Sequence, residues 1–324
     1  MAPTKPTAAA TISLSGPLAL QGRHAAAGLE LWAADRGIDL EIVDDGGSPS
    51  AAADAYRRWL DGGVDLLLGP YGSGLVRRVT PLVSGHGRML WNHGGSADDL
   101  AAPGVVTVPA PASGYFRGAV EAARTRGLSY VLVARGRGPF AAAVAAGARS
   151  RGEELDLAVL EVAMPDLGSA ERSPASAVLV VGAFSEDVAA VERIRADADP
   201  GLLGCVAAGL PEFGRRLGAV AEGVIGPVQW LPRPSPPEVG PDGVEFSRRY
   251  REKHGKPPSY VAAQAAAAGY LAAEAHERRL RPEEVQGWRT STLLGDFTLD
   301  GSWRQVGHSP LTIEWRGGRQ VPVV

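Results

Sequence analysis

Two serines, Ser73 and Ser96, follow two short apolar runs of the chain at the same distance. The runs, residues 64–68 and 88–91, have the composition of buried strands, and a glycine-containing turn follows each of them. If a helix begins after such a turn, its first backbone N–H groups have no partner within the helix and can bind an anion beside the serine hydroxyl. The pattern therefore predicts a site for a small anion such as a carboxylate.

Each serine alone also has a structural explanation, because serine is one of the residues preferred at helix N-caps. The pair favours binding, since ligand sites in open α/β sheets lie beyond the carboxyl ends of the strands, where both turns would be. Tyr71 and Gly94 belong to the same two turns and are further candidates for ligand contact.

Motifs of common catalytic sites are missing from the sequence. It has no GxxxxGK[ST] phosphate loop, no GxGxxG dinucleotide motif, no GxSxG nucleophile turn and no HExxH metal motif. His93 is close to Ser96 along the chain, but an esterase-like pair needs a third, orienting residue that the sequence does not supply. The single cysteine, Cys205, lies in an apolar run, and no metal-ligand spacing occurs. We therefore expect no catalysis, no metal and no cofactor.

Composition limits the classes of protein to which the chain can belong. Its 324 residues are 45% hydrophobic and 21% charged, with a net charge of −3 at pH 7, as in globular proteins. No basic cluster indicates nucleic acid as a partner. No stretch reaches the ~20 apolar residues of a membrane helix, and the first residues lack the features of a signal peptide. The chain is expected to be cytoplasmic, or to be an exported chain whose leader is absent.

Apolar runs alternate with helical patterns along most of the chain. Helices lie between the runs, one of them capped by Ser185, and residues 164–174 are too short for a full crossover helix. Such β–α repeats predict an α/β fold with parallel sheets covered by helices. The predicted strands are residues 10–14, 38–43, 64–68, 88–91, 105–108, 130–134, 155–162, 177–181, 203–207 and 224–228.

Proline-containing segments divide this pattern into two lobes. Residues 109–111 interrupt it once, and residues 231–242, which contain five prolines, form the clearest linker. Two helices follow, and the pairs Asp300-Gly301 and Gly317-Gly318 indicate hairpins between short strands. We expect a disordered or trimmed segment at 1–9, a first lobe at 10–112 plus 235–308, and a second lobe at 113–234 plus 309–324.

The ordered set of motifs resembles the type I periplasmic binding proteins, and within them the branched-chain amino acid and amide binders that feed ABC importers. The resemblance begins with SLSGPLALQGRHAAAGLELW, VDLLLGPYGSG and LWNHGGSADDL and continues through VLVARGRGPFAAAVAAG and AVLVVGAFSEDVAAVERIR. It covers nearly the whole chain, although no single motif is diagnostic. The resemblance implies two Rossmann-like lobes joined by three crossovers, with a small-molecule ligand trapped between them without catalysis. It also implies a monomer outside the cytoplasm and a membrane permease as partner.

The resemblance also assigns roles to individual residues. The carboxylate-binding serine of the family falls on Ser73, and its backbone-plus-hydroxyl clamp falls on Gly94 and Ser96. A family tyrosine in the first turn falls near Gln21, and two tyrosines of the second lobe fall on Phe140 and Phe184. The phenyl groups keep the aromatic surface but lack the hydroxyls.

One charged group of the family has no equivalent here. Its acidic residue, which pairs with the ammonium group of an amino acid, should follow Val206, whereas the first acid after this position is Glu212. Trp91 and Trp230 either add aromatic surface near the ligand or pack in the core. We therefore expect an aromatic or amide-type carboxylate as ligand rather than an aliphatic amino acid.

A second hypothesis assigns the chain to the ligand-sensing domains that share this fold. A repressor would need a DNA-binding helix pair before the first strand, and only a few residues precede that strand. A receptor would need transmembrane or output segments, which a longer native gene could encode. An enzyme is the third hypothesis, because His93 and Ser96 are its only support.

Overall fold

The computed structural model describes residues 5–167, 173–197 and 200–323. The chain divides into two compact α/β units, and it passes from one to the other three times. The sequence placed these borders after residues 112, 234 and 308. Unit 1 comprises Met1–Ala110 and Gln229–Ser309, and unit 2 comprises Pro111–Val228 and Pro310–Val324.

The strands are numbered in chain order over the described residues. They are β1 (Thr7–Ile12), β2 (Asp39–Asp44), β3 (Leu66–Leu68), β4 (Leu90–Asn92), β5 (Val105–Thr107), β6 (Tyr130–Arg135), β7 (Ala158–Ala163), β8 (Ser176–Val181), β9 (Leu202–Cys205), β10 (Ile225–Val228), β11 (Arg289–Thr292), β12 (Gly295–Thr298), β13 (Leu311–Arg316) and β14 (Arg319–Pro322).

The α-helices are numbered in the same way. They are α1 (Ala19–Arg36), α2 (Pro49–Asp61), α3 (Ser73–Gly85), α4 (Arg117–Thr125), α5 (Pro139–Glu154), α6 (Phe184–Asp197), α7 (Pro211–Leu217), α8 (Gly243–His254), α9 (Tyr260–Glu277) and α10 (Pro282–Gly287). Strands and helices alternate through most of the chain, which confirms the predicted α/β class.

Unit 1 is built on a parallel five-stranded sheet in the order β2-β1-β3-β4-β5. Strand β1 begins at Thr7, so residues 7–9, which the sequence assigned to a disordered or trimmed terminus, are in the sheet. That prediction was wrong because Ala8 and Ala9 are small residues typical of linkers, yet here both are buried between β2 and β3. Their size allows helices to pack close to the sheet.

Helices α1 and α9 of unit 1 meet backbone to backbone. A Cβ built on Gly28 would overlap the carbonyl oxygen of Ala262, and one built on Gly269 would overlap the ring of Trp32. Trp32 is completely buried, and nearly every residue of α9 is buried. The alanine-rich sequence of α9 therefore serves close packing on both sides of the helix.

Unit 2 is built on a seven-stranded sheet in the order β14-β13-β10-β9-β8-β6-β7. Strands β10, β9, β8, β6 and β7 are parallel, while β13 and β14 are antiparallel and form a hairpin around residues 317–318. The hairpin predicted there is confirmed.

The hairpin predicted at 300–301 is present in a minimal form. An antiparallel bridge pairs Leu299 with Gln305 across the turn, directly after β12. Asp300 closes the turn, because its carboxylate accepts hydrogen bonds from the backbone N–H groups of Ser302 and Arg304 at 2.9 and 3.0 Å. A second hairpin, which the sequence did not predict, joins β11 and β12 through residues 293–294.

The start of α6 also differs from the prediction. The helix begins at Phe184, so Ser185 is inside it and is not the cap. Glu186, in the first turn, reaches back to the residue before the helix, and its carboxylate accepts a hydrogen bond from the backbone N–H of Ala183 at 2.7 Å. Of the short connection predicted at 164–174, residues 164–166 form a 3₁₀ turn, and residues 168–172 lie outside the described residues.

Asp187, in the first turn of α6, is buried. One carboxylate oxygen accepts a hydrogen bond from the backbone N–H of Ala207 at 2.9 Å, and the other has no hydrogen-bond partner among the described residues. Burial raises the pKa of Asp187 to about 8, against the lowering effect of the backbone N–H groups. The side chain is therefore protonated at neutral pH and links α6 to the turn after β9.

Replacing Gly28 with alanine is expected to lower the free energy of unfolding by roughly 1–3 kcal/mol, because added atoms force closely packed neighbours apart. Gly85→Ala, in a helix end with nothing within 4 Å of its Cβ position, is the matched control. Urea unfolding followed by circular dichroism measures both variants. Equal stability of the two would contradict the backbone contact between α1 and α9.

Asp187→Asn is expected to change how stability depends on pH. Because the pKa rises from 3.8 in the unfolded chain to about 8 in the folded one, the folded state holds one more proton between these values. The free energy of unfolding should then fall by up to about 1.4 kcal/mol per pH unit as the pH rises through this window.

The asparagine variant should lose this slope, whereas the exposed-acid control Asp61→Asn should keep it. Urea unfolding between about pH 5 and pH 7.5 measures the difference. A wild-type protein whose stability does not fall in this range, or a variant with an unchanged slope, would argue against a protonated Asp187.

Candidate functional site

The turns that carry Ser73 and Ser96 lie side by side. Strands β3 and β4 pair in parallel, with Leu67 opposite Leu90 and Leu68 opposite Trp91. The turns after them therefore leave the same edge of the sheet, and the adjacency predicted from the sequence is confirmed. This edge is the carboxyl edge, where ligand sites of α/β sheets lie.

The side chain of Ser73 joins the two turns. Its hydroxyl oxygen accepts hydrogen bonds from the backbone N–H groups of Ser96 and Ala97 at 3.2 and 3.1 Å, and the backbone N–H of Gly72 donates to the carbonyl of Gly94 at 3.1 Å. A hydroxyl oxygen has two acceptor positions, and both are used here. The hydroxyl proton is thus the part of Ser73 left to bind a ligand.

This arrangement replaces the capping role that was the alternative for Ser73. The N-cap of α3 is Gly72, and no side chain caps the helix. The backbone N–H groups of Ser73 and Gly74 begin the helix, and the structure records no hydrogen bond from either to any described residue. Three donors, one hydroxyl and two amides, are therefore present at the start of α3, where an anion can bind.

Asn92, which is not among the residues predicted from the sequence, holds the second turn in shape. Its side-chain oxygen accepts hydrogen bonds from the backbone N–H groups of Gly94 and Gly95 at 3.2 and 2.8 Å. Its side-chain nitrogen donates to the carbonyl of Gly95 at 2.8 Å and to the hydroxyl of Thr107 at 3.1 Å. An asparagine two residues before a pair of glycines is the signal that could have indicated this turn.

Glycine is required at two positions of the turns. A Cβ on Gly94 would lie 2.6 Å from the Cα of Tyr71, so only glycine lets the turns approach this closely. Gly72 has φ +106°, in the region that side chains disfavour, and a Cβ there would lie 2.9 Å from Leu18. The loop after β1 therefore borders the same edge.

The helix expected after Ser96 is absent from the structure. Residues Asp98–Leu100 form a single 3₁₀ turn with Ala97 as its N-cap, and the chain then enters β5. The amides of Ser96 and Ala97 are bound to Ser73 and so do not open toward a ligand. The expectation of a second helix start was wrong because these donors stabilise the junction of the turns.

Three other candidates of unit 1 lie at different places. Gln21 is in the first turn of α1, after the strand that neighbours β3, and its side-chain oxygen is buried without a partner among the described residues. Trp91 is 2% exposed within β4, and Trp230 is 4% exposed and packs edge to face on Phe246. Both tryptophans thus have packing contacts, the second of the roles foreseen for them.

His93 does not form the esterase-like pair considered above. Its ring is completely buried, neither nitrogen has a hydrogen-bond partner among the described residues, and burial lowers its pKa to about 4. Its carbonyl accepts a hydrogen bond from the side chain of Gln264 in α9. His93 is therefore neutral at pH 7 and shares no hydrogen bond with either serine.

In unit 2, Phe140 and Phe184 also follow neighbouring strands. Phe140 is the second residue of α5, after β6, and Phe184 is the first residue of α6, after β8, and these strands pair in parallel. Both rings are half-buried, and Phe140 packs edge to face on Tyr115 with ring centroids 5.2 Å apart. The carboxyl edge of this sheet thus presents two phenyl groups.

The stretch in which an acid would follow Val206 contains none. Residues Val206–Gly209 form a 3₁₀ turn, and Glu212 is in α7, where it forms an ion pair with Arg215. Within residues 5–167, 173–197 and 200–323 there is no cluster of three metal-ligating side chains. None of the helices described is long and apolar enough to cross a membrane.

Comparisons with known proteins agree with this architecture. The family model described as periplasmic binding protein matches residues 7–286. A leucine-binding protein from Thermotoga maritima has a similar structure, with 19% identity, a TM-score of 0.83 and 98% of each chain covered. No match was found among curated protein sequences.

Two further solved structures share the fold. One is a branched-chain amino acid transporter substrate-binding protein from Streptococcus pneumoniae with bound isoleucine (16% identity, TM-score 0.82, 99% of this chain and 100% of the other covered). The other is an ABC-transporter solute-binding protein from R. palustris with bound benzoate (16% identity, TM-score 0.77, 99% and 96% covered). Since the family model extends from β1 into α10, the chain belongs to the periplasmic binding protein family, with the type I fold.

Proposed function

We propose that this chain is an extracytoplasmic solute-binding protein that delivers a small carboxylate- or amide-bearing solute to an ABC importer. The observation that carries the proposal is the group of donors at the start of α3: the hydroxyl of Ser73 and the amides of Ser73 and Gly74. Membership of the periplasmic binding protein family supports the transport role and the location outside the cytoplasm. The proposed partner is the membrane permease of the importer, and the proposed state is a monomer.

A carboxylate fits these donors better than a cation or an apolar group. Hydrogen bonds to a charged acceptor are stronger than neutral ones, and the N-terminus of α3 adds a favourable dipole. Ser73 is 7% exposed and Ser96 is 5% exposed, so an anion bound there would be largely removed from water. We propose that the solute places its carboxylate or carbonyl on these donors, next to Gly94 and Tyr71, and that unit 2 closes over it.

Binding without catalysis is part of the proposal. The hydroxyl oxygen of Ser73 accepts two hydrogen bonds from backbone amides, and the nearest histidine in the sequence of the turns, His93, is buried and neutral. A nucleophilic serine needs a base that takes its proton, and none of the described side chains is hydrogen-bonded to Ser73 in that role. The arrangement favours holding an anion over attacking a carbonyl.

The surroundings in unit 2 favour a solute without an ammonium group. The turn at Val206–Gly209 has no acid, Glu212 is paired with Arg215, and Asp187 is protonated at neutral pH. Burying an ammonium group without an ionised partner costs several kcal/mol. We propose that Phe140 and Phe184 face the body of the solute, which is then aromatic or otherwise flat and apolar.

The solutes bound by related structures include both classes. The protein from Streptococcus pneumoniae binds isoleucine, and the protein from R. palustris binds benzoate. The fold therefore accommodates an aliphatic amino acid as well as an aromatic acid. The choice between them in this chain rests on its own side chains.

Ser73→Ala is expected to weaken binding of a carboxylate solute about 10- to 100-fold, because a hydrogen bond to a charged group contributes ~1.5–3 kcal/mol. Ser73→Thr keeps the hydroxyl and should retain most of the affinity. Ser84→Ala, at the other end of α3, is the control that should bind like the wild type. Isothermal titration calorimetry measures the affinities, and unchanged binding in Ser73→Ala would refute the site.

Calorimetry with benzoate and benzamide beside leucine, isoleucine and valine tests the solute class. The aromatic compounds are expected to bind and the aliphatic amino acids to bind at least about tenfold more weakly, since the latter bury an unpaired ammonium group. Val206→Glu restores an acid to the turn and is expected to raise the relative affinity for leucine. Micromolar binding of leucine without binding of the aromatic compounds would overturn the assignment.

A further inference from the structure

A cavity of about 510 Å³ lies within unit 1, away from the turns described above. It is formed where β3 and β4 begin and where α9 ends, so it is at the amino edge of the sheet, opposite the edge that carries Ser73. Its volume is in the range of small-molecule sites. The residues that decide its chemistry are Leu66, Arg88, Trp91, Ala275, His276 and Arg279.

The floor of the cavity is apolar and aromatic. Leu66, Trp91 and Ala275 are each no more than 4% exposed. The structure records no hydrogen bond between the indole nitrogen of Trp91 and any described residue, whereas a buried tryptophan usually donates one. The floor therefore offers a flat apolar surface and one donor.

The rim of the cavity carries two guanidinium groups. One nitrogen of Arg88 donates hydrogen bonds to the carbonyl of Val64 and to the carbonyl of Asp65, the latter at 2.8 Å, which fixes the group at the amino edge. Neither Arg88 nor Arg279 forms an ion pair with a described residue. Asp65 also lines the cavity, but its carboxylate accepts hydrogen bonds from the backbone N–H and the hydroxyl of Thr7 at 2.8 and 3.0 Å.

Arg279 occupies a backbone position that usually belongs to glycine. Its φ is +54°, and it follows the last turn of α9. The backbone N–H of Arg279 donates to the carbonyl of His276 at 3.0 Å, and that of Leu280 donates to the carbonyl of Ala275 at 2.9 Å. These two bonds form the Schellman motif, in which the left-handed residue is commonly glycine.

The folded protein is less stable with arginine in this backbone conformation than it would be with glycine. The backbone therefore does not explain why arginine is found at this position. The strained residue directs its side chain to the wall of the cavity, where Arg88 supplies a second positive charge. Two unpaired guanidinium groups above an apolar floor match one class of molecule. That class is a small organic anion with one acidic group and a flat apolar body.

We propose that this cavity is a second binding site, distinct from the transported-solute site, for an aromatic or similarly flat organic acid. The acid group lies between Arg88 and Arg279, and the apolar body lies against Trp91 and Leu66. Because the site is within unit 1 and at the other edge of the sheet, its occupation is independent of Ser73.

The test uses 2-naphthoate as the probe and 2-naphthalenemethanol, which has the same body without the charge, as the matched control. Both are titrated by calorimetry into Ser73→Ala, in which the proposed solute site is weakened, and into the same chain carrying Arg279→Gly or Arg279→Lys in addition. Naphthoate is expected to bind Ser73→Ala and to bind Ser73→Ala/Arg279→Gly at least tenfold more weakly. The lysine variant should be intermediate, and the alcohol should bind weakly to all.

Thermal unfolding of the same variants separates loss of binding from loss of structure. Arg279→Gly is expected to melt at a higher temperature than the wild type without ligand, because glycine adopts the left-handed conformation freely. Naphthoate should raise the melting temperature of Ser73→Ala but not that of the double variant Ser73→Ala/Arg279→Gly. Equal naphthoate affinity in Ser73→Ala and in the double variant, or naphthoate binding that is lost in Ser73→Ala alone, would overturn the second site.

If the proposed transport function is wrong, the binding experiments would give a different set of results. In that case Ser73→Ala would not affect binding of any solute, while the dependence of naphthoate binding on Arg279 would remain. Absence of naphthoate binding to the wild type would reject the second site and leave the effects of Ser73→Ala unchanged.

Discussion

The candidate site depends on the two hydrogen bonds that Ser73 accepts from the backbone of the neighbouring turn. They hold the turns after β3 and β4 together, and Asn92 and Gly94 make that contact sterically possible. Because two backbone amides donate to the hydroxyl oxygen of Ser73, its proton is the part of the side chain that remains to bind a ligand. Without these two hydrogen bonds, the turns after β3 and β4 would not be held together beside the donors of α3.

Charge is distributed differently at the two edges of the sheet in unit 1. The carboxyl edge carries hydroxyl and amide donors, and its histidine, His93, is kept neutral by burial. The amino edge carries the guanidinium groups of Arg88 and Arg279 beside an apolar floor. At the carboxyl edge, neutral donors and the dipole of the N-terminus of α3 together favour an anion. At the amino edge, where no helix N-terminus contributes, two charged guanidinium groups can hold an anion.

Relatives with the same fold bind chemically different solutes, so the fold does not define the ligand. The leucine-binding protein and the relatives with bound isoleucine and benzoate are 16–19% identical to this chain, and they superpose on it with similar TM-scores of 0.83, 0.82 and 0.77. In this chain the carboxyl edge of unit 2 has phenyl groups at Phe140 and Phe184, and the turn at Val206–Gly209 has no acid. The proposed preference for an aromatic acid rests on these side chains.

The sequence by itself determined the alternation of strands and helices, the adjacency of the Ser73 and Ser96 turns and the hairpin at 317–318, because periodicity and turn chemistry are local. Only the tertiary structure decided that Ser73 accepts backbone bonds instead of capping a helix, and that Asp187 is buried and protonated. It alone brought Arg88 and Arg279 to one cavity. These features depend on segments distant along the chain, and the burial that shifts a pKa follows from their contact.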